Sequence, residues 1–305
     1  MAKGTHDYIQ DPRNENVLIN INGELFPRDK AVVSVFDSGF IMGDGVWEGL
    51  RLHHGKLAFI DSHMDRLYEG AKTLDMDIGV SREELVQRVY DTVSANDMTD
   101  GVHIRLMVSR GMKATPYQDP RVAVSPPTVV IIPEHKSVLP ETLEKGIRLF
   151  TTHVRRGYPD TLDPKLNSHS KLNCIMACIQ AAKAGYDEGL MLDPHGFVAT
   201  CNSTHFFIVR DGEVWTSTGD YCLRGITRQQ VINICRANGI PCHEKRFSLT
   251  DVYGASEAFV TGTFAGLIHA TEVDGRTLGT GTRGPMVERL QSLYVDWIEK
   301  DCRDA

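Results

Sequence analysis

Strand-like and helix-like segments follow one another along this chain without the regular strand–helix–strand alternation that a doubly wound parallel sheet needs. Residues 17–27, VLININGELFP, alternate apolar and polar side chains around Asn22-Gly23, the pattern of a tight β-hairpin. Residues 45–60 read as a strand, a turn at Gly55 and a second short strand. Behind Asp61, residues 61–75 place Met64, Leu67, Tyr68 and Ala71 at helical spacing. Residues 82–96 predict a second helix capped by Ser81, and residues 101–109 and 127–133 read as strands. The polar stretch EHKSVLPETLEKG carries a proline and reads as a linker. The expected organisation is a small domain over 1–134, a linker over 135–145 and a larger domain over 146–305. The second half opens with the strand GIRLFTTHV and a helix from about Ser170 to Ala184. It continues with strands LMLD and FFIVR separated by a turn at Pro194-His195-Gly196, then a hairpin turn at Asp211-Gly212. A helix over 225–239 ends at Asn238-Gly239, and a strand over 257–262 runs into a Thr-Gly-Thr turn. This order predicts an α+β fold.

The chain has 305 residues, 41% hydrophobic and 24% charged, the proportions of an ordinary globular protein with a sizeable core. A net charge of −7 leaves no surplus to neutralise phosphates, which argues against nucleic-acid or acidic-membrane binding. The start, MAKGTHDYIQDPRNEN, is polar and lacks an apolar signal-like stretch. No run of about 18 apolar residues predicts a membrane span. The seven cysteines are odd in number and show no zinc-type pairing, so no metal site is expected. Cys174 and Cys178, one helical turn apart, read as buried small hydrophobes. Reduced thiols fit a cytoplasmic protein. Asn202-Ser203-Thr204 matches a glycosylation sequon, but no other feature suggests secretion.

Three segments suit an anion. Gly225-Ile226-Thr227-Arg228 lies where a loop enters a helix, so free N–H groups and the positive dipole end face outward. Thr261-Gly262-Thr263 is a strand-to-turn junction whose glycine lets the backbone come close to a ligand. Arg51 ends the run Gly43-Asp44-Gly45-Val46-Trp47-Glu48-Gly49-Leu50-Arg51, and a guanidinium fork matches phosphate geometry. Taken alone, the first segment reads as just a helix start.

Taken together, they carry a resemblance. Ser34-Val35-Phe36-Asp37-Ser38-Gly39 with the run ending at Arg51 closely resembles the signature of branched-chain and D-amino-acid aminotransferases of class IV. Asp61-Ser62-His63-Met64-Asp65-Arg66-Leu67 resembles their "EHLDRL" helix, and Gly185-Tyr186-Asp187-Glu188-Gly189 is also similar. Gly225-Ile226-Thr227-Arg228 and Thr261-Gly262-Thr263 fall at the family's spacing, and the resemblance covers about residues 17 to 298. It implies fold type IV: a small α/β amino-terminal domain, a larger barrel-like carboxy-terminal domain, pyridoxal 5'-phosphate (PLP) as cofactor and a homodimer. Carried over by position, Arg51, Gly225, Ile226, Thr227, Gly262 and Thr263 would hold the cofactor phosphate. Thr263-Phe264-Ala265 would offer N–H groups to a substrate carboxylate. Arg105 matches a pocket arginine, the alternative being a surface strand charge. Met42 and His103 stand where tyrosines are common in the pocket, and Trp47 where phenylalanine is.

Two positions depart from the family. Its lysine, in a pattern such as "DP-x-V-K-S-L-N", forms the Schiff base to PLP, and the gapless alignment from Asp163-Pro164 puts Asn167 there. An amide cannot form an imine. Lys171 falls where the family often has a tyrosine beside the cofactor ring and is the leading candidate for the missing amine. Lys165, two residues before Asn167 and on the same face if the segment is extended, is the alternative. Both lysines could equally be solvated. Thr200 replaces the glutamate that protonates the ring nitrogen; its hydroxyl can hydrogen-bond that nitrogen but not hold its proton. The expected activity is a PLP-dependent aminotransferase acting on an amino acid or amine, branched-chain-like. A lyase on the same fold, and a homologue that has lost covalent cofactor chemistry, are the alternatives.

Overall fold

The computed structural model describes residues 4–6 and 8–304. Two compact units result. One comprises Gln10–Ser137, Leu166–Ser170 and the described residues from Asp301 on; the other comprises the described residues up to Ile9, Val138–Lys165 and Lys171–Lys300. Five residues from the second half of the chain, Leu166–Ser170, thus fold with the first.

The first unit is built on a six-stranded antiparallel sheet, in the order Glu24–Pro27, Leu18–Ile21, Thr128–His135, Val102–Ser109, Gly45–His53, Lys56–Leu57. The Asn22-Gly23 hairpin forms as the alternation predicts. Period-two alternation sends Val46, Leu50, Leu52, Ile104, Leu106, Val108 and Ile131 to one face. There they pack under Met64, Leu67 and Ala71 of helix Ile60–Thr73 and Leu85, Val89 and Val93 of helix Arg82–Ala95. Leu50, Ile104 and Leu106 are fully buried, each contributing about 1.5–3 kcal/mol of apolar transfer. Ser81 caps the second helix, its hydroxyl accepting from the Glu84 N–H at 3.1 Å. The first helix begins one residue before Asp61: Phe59 adopts a left-handed φ of 53°, and its N–H donates to Asp301 Oδ2 at 2.7 Å. Asp61 therefore lies in the first turn and does not cap it.

A carboxylate sits inside this core. Glu48 is fully buried, and Arg66 grips it with Nε–Oε1 at 2.7 Å and Nη2–Oε2 at 2.6 Å, while His63 Nδ1 lies 2.7 Å from Oε2. The family-like segments around residues 48 and 61–67 are therefore joined by a buried ion cluster.

The second unit carries a nine-stranded mixed sheet, in the order Cys242–Glu244, Glu213–Thr216, His205–Arg210, Glu257–Gly262, Gly266–Val273, Ile147–Thr151, Glu188–Leu192, Val198–Cys201, with Arg276–Thr277 beside Gly266–Val273. Strands and helices mix without βαβ order, and the fold is α+β as expected. Ile147, Leu149, Leu190, Phe206, Ile208, Val260 and Ile268 belong to one buried core. Phe207 and Phe259, register partners, stack at 4.8 Å. Helix Ile226–Ala237 packs on strand Glu257–Gly262. The polar stretch after His135 contains a helix of its own, Pro140–Lys145.

The expectation of buried cysteines on helix Leu172–Lys183 is corrected. Cys178 is exposed and Cys174 half-buried, because the helix buries only Ala177 and Ala181 in this unit. Cys174 Sγ lies 3.2 Å from Arg156 Nη1.

Candidate active site

In the second unit, Gly225 is the N-cap of helix Ile226–Ala237, so Ile226 and Thr227 supply first-turn N–H groups that no helical carbonyl can accept. Gly225 is glycine for a reason of space. A Cβ there would lie 2.2 Å from His205 Cε1 and 2.4 Å from Nδ1. His205 is held by its Nε2 against the Leu223 carbonyl at 2.7 Å, and it is the register partner of Thr261. This ring therefore seats the helix start beside the Thr261-Gly262-Thr263 junction. Thr261 is 1% exposed, and its Oγ1 has no hydrogen-bond partner among the described residues. Thr227 is also buried. Arg228 turns the other way, donating Nη2 to the Ser217 carbonyl at 2.6 Å and to Glu244 at 2.8 Å, so it braces the helix.

Below Gly262 lies a polar hub that sequence reasoning missed. Glu188 is 2% exposed; one oxygen accepts from Thr204 Oγ1 at 2.7 Å and the other from Thr5 Oγ1. Burial pushes its pKa up, against the pull of the threonine hydroxyls. A Cβ on Gly262 would sit 3.5 Å from Thr204 Cγ2, so Thr204 supports the turn directly. Thr200 is buried, and its hydroxyl donates to the Thr204 carbonyl at 2.8 Å. With its hydrogen committed there, Thr200 faces any further partner as an acceptor. Phe264 is buried, while Thr263 and Ala265 are half-buried. Glu188 lies in the family-like Gly185–Gly189 segment, the one signal that could have found it.

In the first unit, the sheet face opposite the helices carries Trp47, Arg51, His103 and Arg105, with Arg51 opposite His103 and Gly49 opposite Arg105. Glycine at 49 leaves room for the His103 ring, whose Cε1 lies 3.2 Å from where a Cβ would be. Arg105 Cζ stands 3.8 Å from the Trp47 ring centroid, a cation–π stack, so it is not a freely solvated strand charge. Arg51 Nη1 donates to the Lys136 carbonyl at 2.7 Å. Burial lowers the pKa of both arginines, opposed by Asp100 at Arg51 and by Glu134 and Glu48 at Arg105. Met42 ends the short helix Ser38–Met42 and is 43% exposed.

Asn167 belongs to this unit and is 4% exposed. Its Nδ2 donates to the Trp47 carbonyl at 2.6 Å, and its own carbonyl accepts from the Trp47 N–H at 3.1 Å. Ser168 bridges Val46, the His169 N–H donates to the Gly45 carbonyl at 2.9 Å, and Trp47 Nε1 donates to the Ser168 carbonyl at 3.1 Å. Residues 167–169 thus lie along the strand that carries Arg51. Asn167 Oδ1 is buried without a hydrogen-bond partner among the described residues.

The two lysines lie in the second unit. Lys171 is the half-buried N-cap residue of helix Leu172–Lys183. Lys165 sits in a turn where its N–H donates to Asp163 Oδ1 at 2.9 Å, so the extended arrangement that would align it with Asn167 is not adopted. Among the described residues, no cluster of three or more metal-ligating side chains occurs, and no helix is long and apolar enough to cross a membrane.

The family model of amino-transferase class IV matches residues 45–273, which is most of the chain. The chain belongs to the class IV aminotransferase family. It is 38% identical over 283 residues to branched-chain-amino-acid aminotransferase-like protein 2 of Arabidopsis thaliana, across 93% of this chain and 50% of that protein. It is also 38% identical to a putative branched-chain-amino-acid aminotransferase of Methanocaldococcus jannaschii, across 91% of this chain and 95% of that one. The chain therefore spans about half the length of the plant relatives and nearly all of the archaeal one. The T.th. branched-chain amino acid aminotransferase, solved with pyridoxamine 5'-phosphate, superposes with a TM-score of 0.87 at 30% identity, covering 93% of this chain and 94% of that one. The Escherichia coli enzyme superposes at 0.88 with 27% identity, covering 93% and 95%. The class IV fold of this chain is fold type IV.

Proposed function

We propose that this class IV chain is a PLP-dependent aminotransferase acting on an amino acid, branched-chain-like in its substrate. One observation carries the reading: the helix start at Ile226–Thr227, packed by Gly225 and His205 against the Thr261–Thr263 junction, where the buried Thr261 hydroxyl has no partner among the described residues. Several N–H and O–H donors converging at a helix N-terminus fit a phosphate monoester. By the resemblance, Ile226, Thr227, Thr263 and Arg51 would hold that phosphate, and Thr200, its hydroxyl donating to the Thr204 carbonyl, would stand beside the ring nitrogen without holding a proton there. Thr263-Phe264-Ala265 would take the substrate carboxylate, with Trp47, His103, Arg105 and Met42 around the side chain. When bound, PLP supplies an aldehyde and an electron-withdrawing ring that loosen the bonds at the α-carbon.

The covalent anchor is the point where the sequence departs from the family pattern it resembles. By that resemblance Asn167 would stand at the Schiff-base lysine position, and its amide nitrogen donates to the Trp47 carbonyl. Lys171 Nζ is the amine we assign to proton transfer at the α-carbon and to attachment of the cofactor, Lys165 being the alternative. For either role Nζ must be partly neutral. Asn167 also favours a second reading, a member that binds PLP without a covalent link.

Incubation with PLP, borohydride reduction and peptide mapping separates these readings. We expect the pyridoxyl label on Lys171, lost in Lys171→Ala and kept in Lys165→Ala, and transamination of leucine to fall at least about a thousandfold in Lys171→Ala. Bound PLP that never becomes covalent would sink the Lys171 assignment in favour of the second reading.

We infer a homodimer, and a cytoplasmic setting from the free cysteines among the described residues. Helix Leu172–Lys183 exposes Leu172, Ile175, Met176 and Ile179, an apolar stripe at i, i+3, i+4 and i+7 that a single chain leaves in water. Replacing Ile175 with aspartate should convert a dimer to a monomer in sedimentation at micromolar concentration. A wild-type monomer there would contradict the reading.

A further inference from the structure

The polar start of the chain carried no chemical signal in the sequence, yet its described residues reach the substrate-binding turn of the second unit. Thr5 is 1% exposed and donates its hydroxyl to Glu188, the carboxylate that also accepts from Thr204 beneath Gly262. Gly4 lies against the backbone of Asp187: a Cβ there would meet its carbonyl oxygen at 2.9 Å. His6, itself exposed, stacks on Phe264 with ring centroids 5.9 Å apart and planes 22° from parallel, and Phe264 is 5% exposed. One short segment is thus linked to the turn twice, indirectly through Glu188 and Thr204 near Gly262 and directly through the Phe264 ring.

We propose that Gly4–His6 is a strap that positions the Thr263-Phe264-Ala265 turn for a substrate carboxylate, with His6 the positioning residue. The inference rests on the reading of that turn as the carboxylate site. Carboxylate recognition by backbone N–H groups depends on their direction, and a turn is held in direction only by what packs behind its side chains. Phe264 is the one large side chain of this turn, and His6 is the ring stacked on it. Loss of an aromatic stack of this kind is enough to change ligand affinity several-fold without unfolding the unit. Thr5 fixes where the segment lies, because its hydroxyl donates to one oxygen of a buried carboxylate whose other oxygen is held by Thr204.

The PLP-loaded protein with leucine as substrate and 4-methylvaleric acid as an unreactive carboxylate tests this. His6→Ala is expected to raise the leucine KM and the Kd of the acid about fivefold, with kcat and PLP affinity unchanged within twofold. His6→Phe, which keeps the stack, should restore both values. Hydrogen exchange at the Phe264 and Ala265 amides should quicken about tenfold in His6→Ala and not in His6→Phe. Thr5→Val should act in the same direction as His6→Ala, and Thr5→Ser should not. A wild-type protein that binds the acid while His6→Ala binds it as tightly ends the strap alone. A PLP-loaded wild-type that binds no carboxylate ends the reading of the turn, and the strap with it.

Discussion

Replacing Glu48 with alanine is expected to destabilise the protein by about 3–5 kcal/mol, because it leaves Arg66 and the buried His63 without the carboxylate that compensates them. Burial alone would raise the Glu48 pKa, but the Arg66 charge and the hydrogen bonds from His63 and Arg66 outweigh it, and the carboxyl sits at about 2. A folded-state pKa below the ordinary 4.5 contributes stability that is present above pH 4.5 and lost as the pH falls toward 2. The depression corresponds to about 3 kcal/mol. His63 adds to the same acid sensitivity. Burial lowers its pKa below 6.5, so the unfolded chain takes up a proton first as the pH drops through that value. Urea unfolding of wild-type and Glu48→Gln proteins between pH 7 and pH 3 checks this. The wild type should lose stability steeply below pH 4.5, and the variant should be weaker at pH 7 with a shallower acid slope. Parallel slopes in the two proteins would show that Glu48 is not ionised in the fold.

Gly225→Ala is expected to weaken PLP binding by about 10–100-fold, although the backbone at this residue is in a region any residue adopts, with φ −65°. The reason is contact. The added methyl would stand 2.2–2.8 Å from three atoms of the His205 ring, far inside van der Waals distance. Either the ring gives up its bond to the Leu223 carbonyl or the helix start moves away from the Thr261–Thr263 junction. Overpacking of this kind costs about 1–3 kcal/mol, and displacing the first-turn N–H groups costs affinity in addition. A double-mutant cycle isolates the contact. His205→Ala should remove the clash, so that Gly225→Ala costs much less in that background. Additive losses in a PLP titration would mean that the ring does not set the helix start.

The site was legible in the sequence where chemistry depends on residue type in a short segment. Gly225-Ile226-Thr227 at a helix start, Thr261-Gly262-Thr263 at a strand end and Arg51 at the end of a glycine-bearing run were open to reading as candidates. The expectation that Asn167 stands at the lysine position came from gapless spacing after Asp163-Pro164, which needs no structure. What stayed hidden was whatever joins residues far apart in the chain. Arg105 kept a second reading as a surface charge until register set its strand beside the one that carries Trp47. Thr5 and His6 lie in a polar stretch without periodicity, and their partners Glu188 and Phe264 are more than 180 residues away. The cysteines of helix Leu172–Lys183 were misread because apolar spacing marks a stripe but not what covers it.

The sequence by itself determined the α+β class, the Asn22-Gly23 hairpin, the two helices behind the first sheet and the family. These follow from local periodicity, turn residues and segment order, which the chain carries whatever it packs against. Only the tertiary structure decided that Leu166–Ser170 leaves the larger unit to lie along strand Gly45–His53. The Asn167 amide and the residue 167–169 backbone find their hydrogen-bonding partners on that strand, and no short-range pattern encodes a pairing across some 120 residues. The same holds for the Glu48–His63–Arg66 cluster. The residues are visible in the sequence, but their burial, and with it the size of their effect, depends on two helices closing over one face of a sheet.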